Sequence, residues 1–278
     1  MAVLTATKVV KEFPPPSPSQ PTIRALDGID FDMRGQTFVS LVGPSGCGKS
    51  TFLNIVSGIE SPTSGSVTVT SDEGRPARLG YVFQDPRLLP WRTVLDNLLY
   101  VHPQRTGEVR ARVDRFIEMV GLRGFENMYP AHLSGGMQQR AGIARAFSVE
   151  PDLLLMDEPF SHLDAITARK LREELQAMWE ATKKTVLFVT HDVLEAVQLS
   201  NRIIIVAFGG RTFADIQIDL PYPRLQTDPD VATVQGKILD VFEEMERLRG
   251  AADPRLGPAT GPEGELDSGT GSRPSPSP

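Results

Sequence analysis

Gly43 to Thr51 reads GPSGCGKST. The apolar run Phe38-Val39-Ser40-Leu41-Val42 precedes it and Phe52-Leu53-Asn54-Ile55-Val56 follows, so the order is strand, glycine loop, helix. Gly43, Gly46 and Gly48 permit backbone conformations that a Cβ forbids, and successive N–H groups, including those of Ser45 and Cys47 after Pro44, can turn inward on phosphate oxygens. The helix adds its positive end at the same place. Lys49 is placed to reach β and γ phosphates, the Ser50 hydroxyl suits Mg²⁺, and Thr51 closes the motif. The pattern predicts a P-loop that binds a nucleotide. An ordinary glycine-rich turn is the competing reading, and the flanking strand and helix weigh against it.

Working outward, the front of the chain is predicted to be β-rich. Leu4–Phe13 alternates as a strand until the cluster Pro14-Pro15-Pro16-Ser17-Pro18 breaks it, and Ala25–Met33 reads as a second strand. Phe13 is left open between a core residue and an exposed stacking surface. Beyond the P-loop helix come strands over Ser66–Thr70 and Arg78–Phe83, the latter ending at Gln84. Asp85–Trp91, DPRLLPW, has too many prolines for a regular element and is expected to be an apolar loop, either packed inside or facing a partner.

Val109, Val113, Phe116, Ile117 and Val120 repeat at helical spacing up to Gly121. LSGGMQQR (Leu133–Arg140) opens another helix with Ser134 as N-cap, and Gly135 and Gly136 leave first-turn N–H groups uncovered, as an anion site requires. Leu153-Leu154-Leu155-Met156 is the short continuous run of a buried parallel strand and ends in Asp157-Glu158-Pro159. A long helix is expected after Asp164, a strand over Thr185–Thr190 ending at His191, a helix over Asp192–Leu199 and a closing strand pair within Arg202–Leu220. The P-loop, Gln84, Asp157 with Glu158, and His191 each follow directly on a predicted strand. In open parallel sheets ligands bind beyond the carboxyl ends of strands, so these groups are expected at one rim.

At 278 residues the chain holds one large α/β domain or two small ones, and its net charge of −6 without a basic block speaks against a nucleic-acid surface. The single cysteine, Cys47, makes a disulfide framework impossible and fits a reducing, intracellular setting. No apolar run approaches the roughly 20 residues that span a bilayer, and the chain is expected to be soluble on its own. Val231–Leu248 has the spacing of an amphipathic helix, and Arg249–Pro278, poor in large apolar groups, is expected to be disordered.

Together these motifs resemble the ATP-binding subunits of ABC transporters over roughly residues 1–220, in the order Phe13, GPSGCGKS, Gln84, LSGGMQQR, LLLMDEP, Ser161-His162-Leu163-Asp164, His191. RLLPW, DEPFSHLDA and ADIQIDLPYPR look most like the nitrate, sulfonate and taurine importer group. The resemblance implies a P-loop NTPase of α/β class: a RecA-like core, an antiparallel β subdomain, a helical subdomain at about 85–149, and an extension over 221–248 before the tail at 249–278. It implies ATP and Mg²⁺ as ligands and a head-to-tail dimer in which the P-loop of one copy and the LSGG of another, with Asp164 nearby, enclose each ATP. Phe13 is then the adenine platform, and Ser50, Gln84 and Asp157 hold Mg²⁺ directly or through water. Glu158 activates the attacking water, and His191 contacts the γ-phosphate. It further implies a peripheral protein on the cytoplasmic face of the membrane, docked on transmembrane permease subunits and served indirectly by a solute-binding protein. Two departures stand out: the Pro-rich insertion after Phe13, which puts the platform role in question, and His162, where the family more often has alanine. A soluble ABC ATPase with a non-transport role, such as iron-sulfur cluster assembly, is the competing function.

Overall fold

The computed structural model describes residues 2–15, 17 and 22–252. The Pro-rich stretch after Phe13 falls partly outside these residues, and the expected tail does so from residue 253 onward.

Four strands make the centre: β3 (Phe38–Val42), β6 (Leu153–Asp157) and β7 (Thr185–Thr190), buried along nearly their whole length, and β5 (Leu79–Val82), which alternates half-buried and buried residues. Continuous apolar runs of this kind need cover on both faces, which is the situation of a parallel sheet between helices. They pair in parallel, with Leu79 opposite Leu153, Leu153 opposite Thr185 and Val42 opposite Thr190. β8 (Arg202–Ala207) continues the parallel sheet beside β3, and β9 (Arg211–Gln217) closes its edge antiparallel, giving the order β5-β6-β7-β3-β8-β9. The closing strand pair predicted within Arg202–Leu220 is these last two strands.

The pleat divides the central strands' side chains between two cores, and Val42, Ile203 and Ile205 join a third. Phe38, Leu154, Met156, Val186 and Phe188 face the core shared with α2 (Val94–Tyr100), α3 (Gly107–Met119), α4 (Gly135–Ser148) and α5 (Ala165–Thr182). Val39, Leu41, Leu155, Leu187 and Val189 face α1 (Lys49–Val56) and a second, antiparallel sheet. That sheet has the order β2-β1-β4, from β1 (Ala2–Phe13), β2 (Ile23–Arg34) and β4 (Ser64–Ser71), and grips α1 through Phe31 against Phe52 at 5.4 Å.

The helices between β5 and β6 lie within the segment expected to be helical. α3 buries Val113, Phe116 and Ile117 as its spacing predicts. α2 was not anticipated: at seven residues it is too short for a helical repeat, although Thr93 caps it by accepting from Asp96 N. Beyond the sheet, α6 (Val193–Leu199) packs against α7 (Pro229–Ala252), whose Val231, Ile238 and Met245 are buried one heptad apart. α7 runs past the boundary expected at Leu248.

Between β9 and α7, Arg224 is 2% exposed and donates to the carbonyls of Val197, Ser200, Ile218 and Leu220. Two of these belong to the C-terminal turn of α6, where unpaired carbonyls and the negative helix end favour a cation. Arg224 thus ties the extension to the body of the fold.

Candidate active site

The sheet order delivers the expected rim. β5, β6, β7 and β3 lie side by side and parallel, so Gln84, Asp157 with Glu158, His191 and the P-loop leave neighbouring strands at the same end.

In the P-loop, Gly48 sits at φ 97° as the N-cap of α1, and no side chain caps that helix. A Cβ at Gly48 would run into the Ala25 carbonyl, so the backbone needs glycine there for space as well as for its φ. The first-turn N–H groups of α1 are left for an anion. Lys49 is buried and donates from Nζ to the carbonyls of Gly43 at 2.7 Å and Pro44 at 3.0 Å, which holds its ammonium over the loop. Cys47 is fully buried behind the loop, where burial pushes its thiol pKa up and keeps it protonated.

Ser50 Oγ donates to Asp157 Oδ1 at 2.8 Å, joining α1 to the end of β6. Burial raises the Asp157 pKa, the Ser50 hydrogen bond opposes that, and the neighbouring Glu158 charge raises it further. A desolvated carboxylate beside a second carboxylate, with a hydroxyl on it, is a set of hard oxygen donors short of positive charge, which suits Mg²⁺. Among the described residues no group of three or more His, Cys, Asp or Glu side chains is arranged to hold a metal.

Glu158 sits at φ 42°, the left-handed region that a non-glycine residue enters at a cost of about 1–3 kcal/mol. Its N–H donates to the Val189 carbonyl at 2.9 Å on β7, which locks the turn, and its Oε2 lies 2.9 Å from His191 Nδ1. Gln84 Nε2 is 3.2 Å from Ser161 Oγ, which itself donates to the Glu158 carbonyl at 3.0 Å. His162 Nε2 is 3.5 Å from the same Gln84 nitrogen, so the unusual imidazole borders Gln84.

Among the described residues, the remaining predicted residues make no side-chain hydrogen bond to this cluster. Ser134 caps α4, accepting from Met137 N at 3.3 Å, and hydrogen-bonds none of the rim residues among the described residues. Gly135 follows it, and Gly136 lies so close to Thr167 that a Cβ there would come within 2.5 Å of Thr167 Cγ2. Asp164 caps α5 by accepting from Ile166 N and Thr167 N. The helix starts bearing LSGG and Asp164 are therefore packed together. Phe13 ends β1, half-buried, with Lys11 Nζ 4.8 Å from its ring centroid.

Two side chains that the motif pattern did not single out shape the loop beyond Gln84. Asn97, buried on α2, accepts from Leu89 N at 2.7 Å and donates to the carbonyls of Leu89, Arg92 and Thr93. Arg145 on α4 donates to the carbonyls of Pro86 and Arg87. The loop they hold is not a uniform apolar patch: Leu88 packs on the core and Leu89 is half-buried, while Trp91 is 69% exposed.

With this geometry in place, the family model described as ABC transporter matches residues 26–161. An uncharacterized ABC transporter ATP-binding protein of Methanocaldococcus jannaschii is 44% identical over 228 residues, 80% of this chain and 85% of the relative. The chain belongs to the ABC transporter family. Its fold is that of an ABC ATPase. A dimeric ATP-binding cassette in a post-hydrolysis state bound to ADP and Pi superposes with a TM-score of 0.67 at 33% identity, covering 78% of this chain and 100% of that one. An aliphatic sulfonates import ATP-binding protein of Bacillus cereus is 42% identical over 225 residues, covering 80% of this chain and 90% of the relative. A second protein of that name, from Burkholderia cenocepacia, is 44% identical over 238 residues, 84% of this chain and 87% of the relative. The chain is thus an ABC ATPase, and the rim of P-loop, Gln84, Asp157, Glu158 and His191 is its candidate site.

Proposed function

We propose that the chain is the energy-coupling ATPase subunit of an importer for an aliphatic sulfonate or a similar small solute such as taurine or nitrate. The observation that carries the ATPase chemistry is the meeting of Lys49, Ser50–Asp157 and Glu158–His191 beyond the ends of adjacent parallel strands. The likeness to sulfonate import ATP-binding proteins supports the solute class.

In this reading the loop from Gly43 to Thr51 and the Lys49 ammonium neutralise the phosphates, and Phe13 supplies the adenine platform. Ser50 and Asp157, with Gln84, would hold Mg²⁺, and the ion would supply positive charge to the phosphate oxygens. Glu158 orients the attacking water and accepts its proton, and His191 keeps Glu158 in place and faces the γ-phosphate. Ser134, Gly135 and Gly136 serve a second copy of the chain in a head-to-tail dimer. A bare helix start far from its own P-loop can cover a phosphate only when brought to another copy's site.

The docking surface for the transmembrane subunits is the groove of about 1060 Å³ between β5 and the α2–α4 helices, lined by Tyr81, Phe83, Arg87, Tyr100 and Arg145, with Trp91 standing on the same loop. Among the described residues no helix is long and apolar enough to cross a membrane, so attachment would be peripheral, through those partners. Non-transport roles such as iron-sulfur cluster assembly lack a comparable supporting observation. The test is uptake of ethanesulfonate, taurine and nitrate in a strain deleted for this chain. Loss of uptake of one of them, restored by the wild-type chain and not by Lys49→Ala, is expected; unchanged uptake of all three refutes the solute class.

A further inference from the structure

His191 carries its ring on a turn with little packing to hold it, since the side chain is 54% exposed. Its aim depends on the contact with Glu158 and on the backbone of residues 190–192. That backbone is fixed from beneath. Thr190 Oγ1 donates to Glu195 Oε2 at 2.6 Å and accepts from Asp192 N at 3.0 Å, so one hydroxyl closes the turn around His191. The other carboxylate oxygen of Glu195, Oε1, receives Arg172 Nη1 from α5 at 3.2 Å. Glu195 and Arg172 are both buried, and the Arg172 Nε has no partner among the described residues.

A buried ion pair is weak evidence for stability, because apolar residues of the same size usually do as well or better. This pair is also incompletely satisfied, which raises its cost. Its placement, however, is specific. Glu195 divides its two oxygens between two elements, the end of β7 that carries His191 and the helix α5 that starts at Asp164 in the Ser161–Asp164 loop. Arg172, Glu195, Thr190, His191 and Glu158 all line one cavity of about 900 Å³.

We propose that Glu195 is a positioning residue for the ATPase reaction: held by Arg172, it fixes Thr190 and through it the aim of His191 at Glu158 and the phosphate. The inference rests on the role assigned above to His191. In this proposal Glu195 acts through the turn, by way of Thr190, and not on the reacting groups directly.

Full-length variants distinguish positioning from simple support. Thr190→Val is isosteric but deletes the hydroxyl, Thr190→Ser restores it, and Glu195→Gln keeps size while losing an acceptor. ATP hydrolysis and affinity for a fluorescent ATP analogue are measured for each, alone and combined with His191→Ala. Thr190→Val and Glu195→Gln are expected to lower kcat by about ten- to a hundredfold, the usual effect of a misplaced group, with nucleotide affinity within about threefold of wild type. Thr190→Ser should recover kcat to within about twofold. Adding His191→Ala to Glu195→Gln should cost less than about twofold more, because both act on one interaction. Wild-type kcat in Thr190→Val, or losses that multiply in the double variant, overturn the proposal while leaving His191 its role. Wild-type kcat in His191→Ala removes the role of His191 and the proposal with it. Should Glu195→Gln fail to fold, the Thr190→Val and Thr190→Ser pair still decides.

Discussion

Replacing Trp91 by alanine separates a residue that holds this chain together from one that holds a partner. A tryptophan presents up to about 250 Å². At 69% exposure about a third of that, roughly 80 Å², rests on the chain itself, and at about 25 cal/mol per Å² its loss costs at most about 2 kcal/mol. A fully buried tryptophan would cost about 3–5 kcal/mol. The loop should keep its shape without the indole, because Asn97 holds Leu89, Arg92 and Thr93 by their backbone. The exposed remainder, roughly 170 Å², amounts to about 4 kcal/mol if a partner covers it, the scale of an interface hot spot. The isolated Trp91→Ala chain should therefore unfold in urea within about 2 kcal/mol of wild type and hydrolyse ATP at the wild-type rate. The assembled transporter should lose its transmembrane partner on purification, or its solute uptake. A loss above about 3 kcal/mol in the isolated chain contradicts the exposed placement of Trp91. Normal assembly and uptake refute its role as an anchor.

Glu158→Gln keeps the shape and the His191 contact but cannot take a proton, so phosphate release should fall at least about a hundredfold while ATP binding persists; hydrolysis near the wild-type rate removes Glu158 from the chemistry. Arg224→Lys replaces a fork making five hydrogen bonds to carbonyls with an ammonium that has three donors, and should cost about 2–4 kcal/mol in a urea titration, with earlier proteolysis of α7; a loss under about 1 kcal/mol would show that the extension is anchored elsewhere. Burial raises the Glu195 pKa from 4.5 to about 6, so between these values the folded chain holds a proton that the unfolded chain has already released. Stability should accordingly fall as pH rises from 4.5 to 6, by about 2 kcal/mol from this residue, and Glu195→Gln should flatten that slope; parallel pH curves for the two proteins would contradict the assignment.

The rim that forms the candidate ATPase site was legible because each of its residues interrupts a pattern. Val42, Phe83, Met156 and Thr190 end runs of apolar or β-branched residues, and Gly43, Gln84, Asp157 and His191, which follow them, stand where parallel strands open toward one rim. The helix starts at Ser134 and Asp164 were legible for a related reason, since a cap lies next in sequence to what it caps. α2 was not, because its seven residues carry no repeat, and Leu88 and Trp91 looked alike in the sequence although one packs and the other does not.

Arg224, Asn97 and Arg145 escaped notice for a different reason. Their partners are backbone carbonyls and amides, which every residue has, so no complementary side chain marks the pairing in the sequence. The Arg172–Glu195 pair hides in another way, its members lying 23 positions apart on two helices where a charge ordinarily signals a solvent face. Chemistry at strand ends is written locally, whereas the groups that aim it are chosen by what the fold brings near. Thr190 shows both at once: its place at the end of β7 follows from the apolar run, but its hydroxyl matters only because α6 sets Glu195 within 2.6 Å.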